Sequence, residues 1–553
     1  MEGGGAACEL DFPLESGAED RGRDTMNDAT GRTRLRPEEA AAHGMTIAVT
    51  ARDAPERMAI LSDFGSLTYG ELNARANQLV RALAARGVGK GDAVALLCSN
   101  RPEFAVTYAA ALRAGLRLTC INWHLQRDEV AYIVENCEAR AFLADARFAE
   151  AAADVAREAT KASVRLAIGG PIAGFESFDS SLALESDADV EEPVLGSTML
   201  YTSGTTGRPK GVYRRQTPPV GGLAREIGKI ARYEPESDRM LCTGPLYHAA
   251  PLAFNLAAPL AASIGTVLMD RWDAADALRQ IEKHRVTHTH MVATMFHRLL
   301  ALPDDVKARH DLSSLRVLLH GAAPTPVHVK KALIDWLGPI VYEYYAATEG
   351  GGTFITSTEW LARPGSVGRP ADPGNLVVRD DDGRDVPTGT VGTIWFRAPP
   401  VGRFEYFGDA KKTESSYDGD WFTMRDMGYQ DEDGYVFLTG RTSELIISGG
   451  VNIYPAEIDA VLLMHPAVAD AAAVGVPNEE FGEEVRAVVQ LEPSAVPSEA
   501  LAHELMEHCR AKLAHFKCPR GVDFDPALPR SEAGKVQRRT IRERYWQGLG
   551  RQI

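Results

Sequence analysis

The run Tyr201-Thr202-Ser203-Gly204-Thr205-Thr206-Gly207-Arg208-Pro209-Lys210-Gly211 concentrates more chemistry than any other stretch of this 553-residue chain. Gly204 and Gly207 let backbone N–H groups approach an anion closely. Thr202, Ser203, Thr205 and Thr206 add hydroxyl donors, and Lys210 supplies a mobile positive charge. That is the composition of a polyphosphate cradle. It is not the Gly-x-x-x-x-Gly-Lys-Ser/Thr loop, because Gly204 and Gly207 are three apart and Gly211 follows the lysine. A solvated Ser/Thr/Gly turn is the plain alternative. The length of the string, and the strand-like run Thr198–Tyr201 before it, argue against that.

Other candidate groups carry less. His288-Thr289-His290 with His297 invites a metal reading but lacks companion acids at ligand spacing. His503-Glu504 and His508 miss the zinc-protease pattern by one residue, which puts the two rings on different helix faces. The seven cysteines form no Cys-x-x-Cys pair. A scattered odd set reads as reduced thiols, and a cytoplasmic location is the expectation. A net charge of −16 argues against a chain-wide grip on nucleic acid or acidic membrane. The stretch beyond residue 510 is nevertheless locally basic. The most apolar window, Ala253–Met269, is broken by Asn255, Pro259, Ser263 and Gly265, short of the ~20 residues a membrane span needs.

Further strings follow in order. They are Pro245-Leu246-Tyr247-His248, Gly321-Ala322-Ala323-Pro324 and Tyr345-Ala346-Ala347-Thr348-Glu349, then Thr439-Gly440-Arg441, Ser448-Gly449-Gly450-Val451-Asn452-Ile453 and Pro529–Lys535. Together with the phosphate loop, the set resembles the signature of the adenylate-forming superfamily: acyl-CoA synthetases, nonribosomal-peptide adenylation domains and beetle luciferases. The resemblance covers roughly residues 45–545 and is nearest to the acyl-CoA synthetase branch.

The resemblance implies an ATP-dependent acyl-CoA ligase. A carboxylate attacks the α-phosphate of ATP, giving acyl-AMP and pyrophosphate, and the thiol of coenzyme A then displaces AMP. Catalysis would be positioning plus charge stabilisation. Glu349 would hold Mg²⁺ and Thr348 would bond the α-phosphate. Gly321, Ala322 and Ala323 would contact adenine, Tyr345 would stack on it, and Asp426 and Arg441 would take the ribose. Lys535 would bridge carboxylate and α-phosphate. Ser443 would sit at a hinge that swings the last domain. Ser448, Gly449, Gly450 and Phe516 would then meet coenzyme A. Arg425 stands where the family usually has Gly, and Cys518 where some relatives carry a basic residue. Tyr247, His248, Met295 and Gly350 would line the acyl pocket, with Gly350-Gly351-Gly352 leaving space for a ring and His248 either gating the site or orienting the carboxylate.

No acid stands ready to hold an amino acid's ammonium, so a hydrophobic acid, of medium or long chain or bearing a ring, fits best. Open alternatives are an acyl-AMP ligase, an aryl-acid ligase loading a separate carrier protein, and a silent ATP-binding scaffold. Many relatives are dimers, which leaves a homodimer open; the oligomeric state itself is not readable from the sequence. Nucleic acid is not an expected partner, nor is a membrane span.

These groups need a scaffold. Residues 1–44 read as a disordered leader. Thr68 and Glu71 form a capping box for a helix presenting Leu72, Leu79, Val80 and Leu83 on one face, stopped by Gly87 and Gly89. Apolar runs at 93–98, 116–121, 141–143, 164–168, 266–269 and 316–320 alternate with helical segments, which predicts α/β architecture with parallel sheets. Between 376 and 440, Asp-Gly turn pairs separate short β-like runs, an antiparallel unit. The expected division is a domain over 45–440, a hinge at 441–445, and a small α+β domain over 446–548.

Overall fold

A computed structural model describes residues 36–202, 209–216, 227–322, 325–441, 444–448, 451–478, 481–513, 515–531 and 534–547. Within them the chain is α/β, with two sheets built on parallel strands, antiparallel β units, and a separate C-terminal α+β layer.

The first sheet is parallel throughout, in the order Glu176–Ser177, Val164–Ile168, Ala139–Asp145, Ala93–Leu97, Arg117–Cys120, Ser197–Thr198. Ala93–Leu97 is buried at every position, as a strand covered on both faces must be. Helix Tyr69–Ala84 packs here. The Thr68 hydroxyl accepts from the Glu71 N–H at 3.2 Å, and the Glu71 carboxylate accepts from the Thr68 N–H at 2.8 Å. Leu72, Leu79 and Leu83 are buried, and Val80 packs beside them.

The second sheet runs Gly350–Ile355, Val341–Ala347, Val317–His320, His288–Met291, Arg239–Cys242, Gly265–Leu268, Met58–Ser62, Gly65–Thr68. Its interior pairs are parallel and its two edge strands antiparallel. Along Val341–Ala347, Glu343 and Tyr345 share one face while Tyr344 points to the other.

The run Thr198–Tyr201 is not one strand. Ser197–Thr198 closes the parallel sheet against Arg117 and Leu118, whereas Leu200–Thr202 pairs with Lys210–Arg214. The chain changes sheets at buried Met199. Phe404–Tyr406 completes this small antiparallel unit. Strands between Leu376 and Arg441 form the larger antiparallel sheet expected from the Asp-Gly turns. Beyond it, helices Pro455–Leu462 and Glu499–Arg510 pack on Val468–Asn478, Gly482–Leu491 and Gly521–Phe524. Pro455 stands at the helix start, where its missing N–H is harmless.

One further segment differs from the sequence reading. Residues 37–42, assigned to the leader, form helix Pro37–Ala42. Pro37 starts it, Glu38 and Glu39 suit its first turn, and Ala40 and Ala41 are buried. The apolar window after Pro251 is a π-helical turn, Pro251–Ala257, then helix Ala258–Ala261, then strand Gly265–Leu268. No helix among the described residues is long and apolar enough to cross a membrane.

Candidate active site

The hairpin of Leu200–Thr202 and Lys210–Arg214 sets Thr202 directly opposite Lys210, so the two ends of the phosphate loop meet. Ser203, Gly204, Thr205, Thr206 and Gly207 lie outside the described residues. The Lys210 ammonium is 3.1 Å from Asp409 Oδ2. Asp409 also caps helix Ala410–Glu414, its Oδ1 accepting from the Lys412 N–H at 3.0 Å. The Lys412 amide and the Lys210 ammonium hold the Asp409 carboxyl below its ordinary range. Lys412 Nζ lies 4.4 Å above the Tyr406 ring. Burial and the nearby Lys210 lower its pKa.

Thr348 and Glu349 occupy the tight turn between Val341–Ala347 and Gly350–Ile355. Arg214 clamps that turn from below, donating to the carbonyls of Thr348 at 3.0 Å and Glu349 at 2.7 Å. The Tyr406 hydroxyl donates to Glu349 Oε1 at 2.8 Å. Burial and the Glu349 carboxylate push the Tyr406 hydroxyl up, so it stays a donor. Glu349, Lys210 and Lys412 thus gather around one tyrosine.

On the same face, the Tyr345 hydroxyl donates to Asp426 Oδ2 at 2.7 Å. Asp426 is buried. It pairs across its ladder with Arg441, whose side chain lies outside the described residues. Arg425 adopts φ +63°, a left-handed backbone that explains why glycine suits this position. Ala322 is left-handed as well, at φ +66°. Gly321 has no room for a side chain, since a Cβ there would stand 2.6 Å from the Tyr344 ring. Ala323 lies outside the described residues. Beneath this turn runs a buried ion pair, Lys330 to Glu343 at 2.7 Å, with His320 Nε2 3.6 Å from the same carboxylate oxygen. Burial lowers the Lys330 pKa and raises that of Glu343, and their contact opposes both shifts.

The expected acyl wall is aromatic. Tyr247 is buried and stands 4.6 Å from the His248 ring and 6.1 Å from Trp123, edge-on to the latter. His248 Nε2 is buried with no hydrogen-bond partner. Burial, with His124 nearby, pulls the His248 pKa down to about 4, so the ring is neutral near pH 7. The glycines at 350–352 do not simply leave space. Gly350 and Gly351 have φ of +125° and +75°, and a Cβ on Gly351 would strike the Phe396 ring at 2.7 Å. The hairpin and Phe396 require them.

Lys535 sits on a tight loop. The Ser531 N–H donates to the Lys535 carbonyl at 2.7 Å, and the Gly534 N–H to the Ser531 carbonyl at 2.8 Å. Gly534, at φ +76°, lies so near Thr294 that a Cβ would reach its side chain at 3.0 Å. Thr294 belongs to helix Ala293–Leu300, which also carries Met295. The loop of the C-terminal domain therefore rests on helix Ala293–Leu300. Ser448 pairs with Val451 and Gly482 in the C-terminal sheet. Phe516 is 53% exposed. Cys518 is buried in the C-terminal core, where a charged side chain would be costly. Ser443, Gly449 and Gly450 lie outside the described residues.

Two of the histidines weighed for a metal are engaged otherwise: His288 Nε2 bonds the Ala231 carbonyl at 2.7 Å, and His290 Nε2 bonds the Tyr344 hydroxyl at 2.9 Å. Residues missed in the sequence are Tyr406, Asp409, Lys412 and Arg214. Only the capping pattern Asp409 to Lys412 offered any local signal.

Comparison with known proteins closes the assignment. The AMP-binding enzyme family matches residues 47–404, and the AMP-binding enzyme C-terminal domain matches residues 457–535. The indoleacetate–CoA ligase of Aromatoleum aromaticum is 33% identical over 500 residues, covering 88% of this chain and 95% of that protein. A long-chain-fatty-acid–CoA ligase of Mycobacterium tuberculosis is 30% identical, covering 87% and 93%. The crystal structure of an anthranilate CoA ligase with anthranoyl-AMP superposes with a TM-score of 0.81 at 26% identity, covering 92% of this chain and 99% of that one. The chain belongs to the AMP-binding enzyme family. Its activity is that of an AMP-forming acid–CoA ligase, with ATP and coenzyme A as co-substrates.

Proposed function

We propose that the acid is hydrophobic, of medium or long chain or bearing a ring, and that it is activated where the Tyr345–Asp426 face meets the His248 segment. The observation carrying this reading is the buried, unpartnered Nε2 of His248 in an aromatic and apolar wall. A neutral imidazole N–H there can orient a substrate carboxylate without pairing it so strongly that its attack is suppressed.

Asp426 and the Arg441 fork take the ribose hydroxyls, and Tyr345, fixed by its bond to Asp426, lies along adenine. Lys210 and Lys412 receive the departing phosphates, both within reach of the Asp409–Tyr406 pair. Glu349 presents one carboxylate beside them. Among the described residues no group of three or more His, Cys, Asp or Glu side chains comes together. One carboxylate plus substrate phosphates suits Mg²⁺, which keeps most of its shell from phosphate and water. When bound, that ion neutralises charge on the leaving pyrophosphate. Lys535, carried onto helix Ala293–Leu300 by its loop, spans carboxylate and α-phosphate. The Pα–O bond to the acid forms as the Pα–O bond to pyrophosphate breaks. The C–S bond to coenzyme A then forms, the thiol giving up its proton, as the acyl–AMP bond breaks. The 441–445 segment is the hinge that exchanges Lys535 for Ser448, Gly449, Gly450 and Phe516 between these steps.

Pyrophosphate release across a panel of acids, with and without coenzyme A, tests the reading. Release with hydrophobic acids and thioester formation are expected. Release without thioester would move the chain to an acyl-AMP or carrier-loading role. No release with any acid would overturn acid activation.

A further inference from the structure

The strand starts of the first parallel sheet border a cleft of about 400 Å³. Ala93 opens strand Ala93–Leu97, Arg117 opens Arg117–Cys120, and Arg140 is the second residue of Ala139–Asp145. Lys161 reaches the cleft from the loop after helix Ala149–Glu158. A Cβ on Gly91, which also lines it, would meet nothing within 4 Å. Ligands of open parallel α/β sheets lie outside the carboxyl ends of the strands. This cleft is at the amino ends, and no residue assigned above to nucleotide, acid or coenzyme A lines it.

Three cations line the cleft. Among the described residues the side chains of Arg140 and Lys161 form no hydrogen bond or ion pair, and both residues are exposed. Arg117 is half-buried and held in place. Its Nη2 donates to the Cys137 carbonyl at 2.8 Å, and its guanidinium carbon lies 4.7 Å from the centre of the Phe407 ring and 5.4 Å from that of Tyr213. Its Nε is buried without a hydrogen-bond partner, a donor left over. A guanidinium set against two rings keeps its fork oriented before any ligand arrives. Two carboxylates oppose these cations. Asp92 is committed to its own turn, its Oδ2 accepting from the Gly89 N–H at 2.9 Å. Glu138 stands just beyond helix Arg127–Asn136, with a left-handed φ of +58°. Positive charge is in excess, in a concavity of the size that takes a small metabolite.

We propose that this cleft binds a small phosphate-bearing molecule, at a site separate from the nucleotide site. A phosphate dianion offers three outward oxygens to cations arriving from separate elements, whereas a carboxylate offers two in one plane. Arg117 sets the orientation, and the exposed Arg140 and Lys161 supply the attraction. The inference does not depend on which acid the protein activates.

The test is titration calorimetry on the full-length protein with its nucleotide site saturated by AMP, so that the phosphate loop cannot answer for the cleft. The probes are glycerol 3-phosphate and fructose 1,6-bisphosphate, with glycerol and fructose as uncharged controls. At least one phosphorylated probe should bind, and neither control should. Arg140→Gln combined with Lys161→Gln should weaken that binding by about tenfold or more. Glu138→Gln should tighten it about fivefold. Both changes should leave the affinity for AMP where it was. Either single glutamine variant should also weaken the probe, and serves if the double variant does not fold. No binding of either probe, or binding that these substitutions leave untouched, would overturn the site. So would sedimentation with phosphatidic acid vesicles, lost in the double variant, when neither soluble probe binds, because the phosphate would then belong to a lipid headgroup.

Discussion

Tyr344 and Tyr345 are neighbours on one strand and do opposite work. Tyr345 donates a hydrogen bond to a carboxylate, Asp426, and the turn that follows it presents Glu349 to the Tyr406 hydroxyl. Tyr344 bonds a neutral imidazole among rings. The period-two alternation of a strand is enough to separate a charged site from an apolar one by a single residue. The lesson is that a charged and an apolar environment are held by two faces of the same backbone, so each face can be altered with the other as its control.

The largest effect should come from the group proposed to touch both substrates. Lys535→Ala is expected to slow acyl-AMP formation by about 10²–10³, while supplied acyl-AMP still becomes thioester. Equal loss of both half-reactions would show that Lys535 does not divide its labour this way.

On the apolar face, burial pulls the His290 pKa down to about 4. Unfolded histidine titrates near 6.5. Between these values the unfolded chain binds more protons, so the contribution is complete above pH ~6.5 and fades as pH falls toward ~4. The total is on the order of 3 kcal/mol. His290→Leu should therefore lose less stability on acidification than the wild type, whatever its offset at pH ~7. Parallel denaturation midpoints across this range would refute the assignment.

On the charged face, Asp426→Ala removes the acceptor of the Tyr345 hydroxyl. A bond to an ionised group contributes about 1.5–3 kcal/mol, so kcat/KM for ATP should drop about 10- to 100-fold. The ranking of acids should not move; if it does, the two faces are coupled. The smallest effect is expected beside it. Arg425 holds a left-handed backbone at φ +63°, and Arg425→Gly should raise stability by up to ~1 kcal/mol in a thermal melt.

Much of the scaffold could be read from local rules. The Thr68–Glu71 box, the Pro455 helix start and the Asp-Gly hairpins are all set by neighbours a few residues apart, and each formed where expected. The meeting of Tyr345 with Asp426 came from motif resemblance, since 81 residues separate them. What stayed hidden depended on tertiary approach. Nothing around Lys412 marks it as a companion of Lys210, 202 positions earlier. Gly351 looked like empty space because a sequence does not show the Phe396 ring behind it. Cys518 looked like a lost phosphate contact, yet it fills a core.

The Lys330–Glu343 pair is buried, with Glu343 on the same strand face as Tyr345. Losing either partner alone strands a charge in the interior at a cost of about 3–5 kcal/mol, against a whole-domain stability of ~5–15 kcal/mol. Single-step substitutions at either position would therefore be purged before any advantage could spread. A descendant of this protein without the pair must have exchanged both residues nearly at once, or first acquired stability elsewhere, and the two positions should travel together through the history of its lineage.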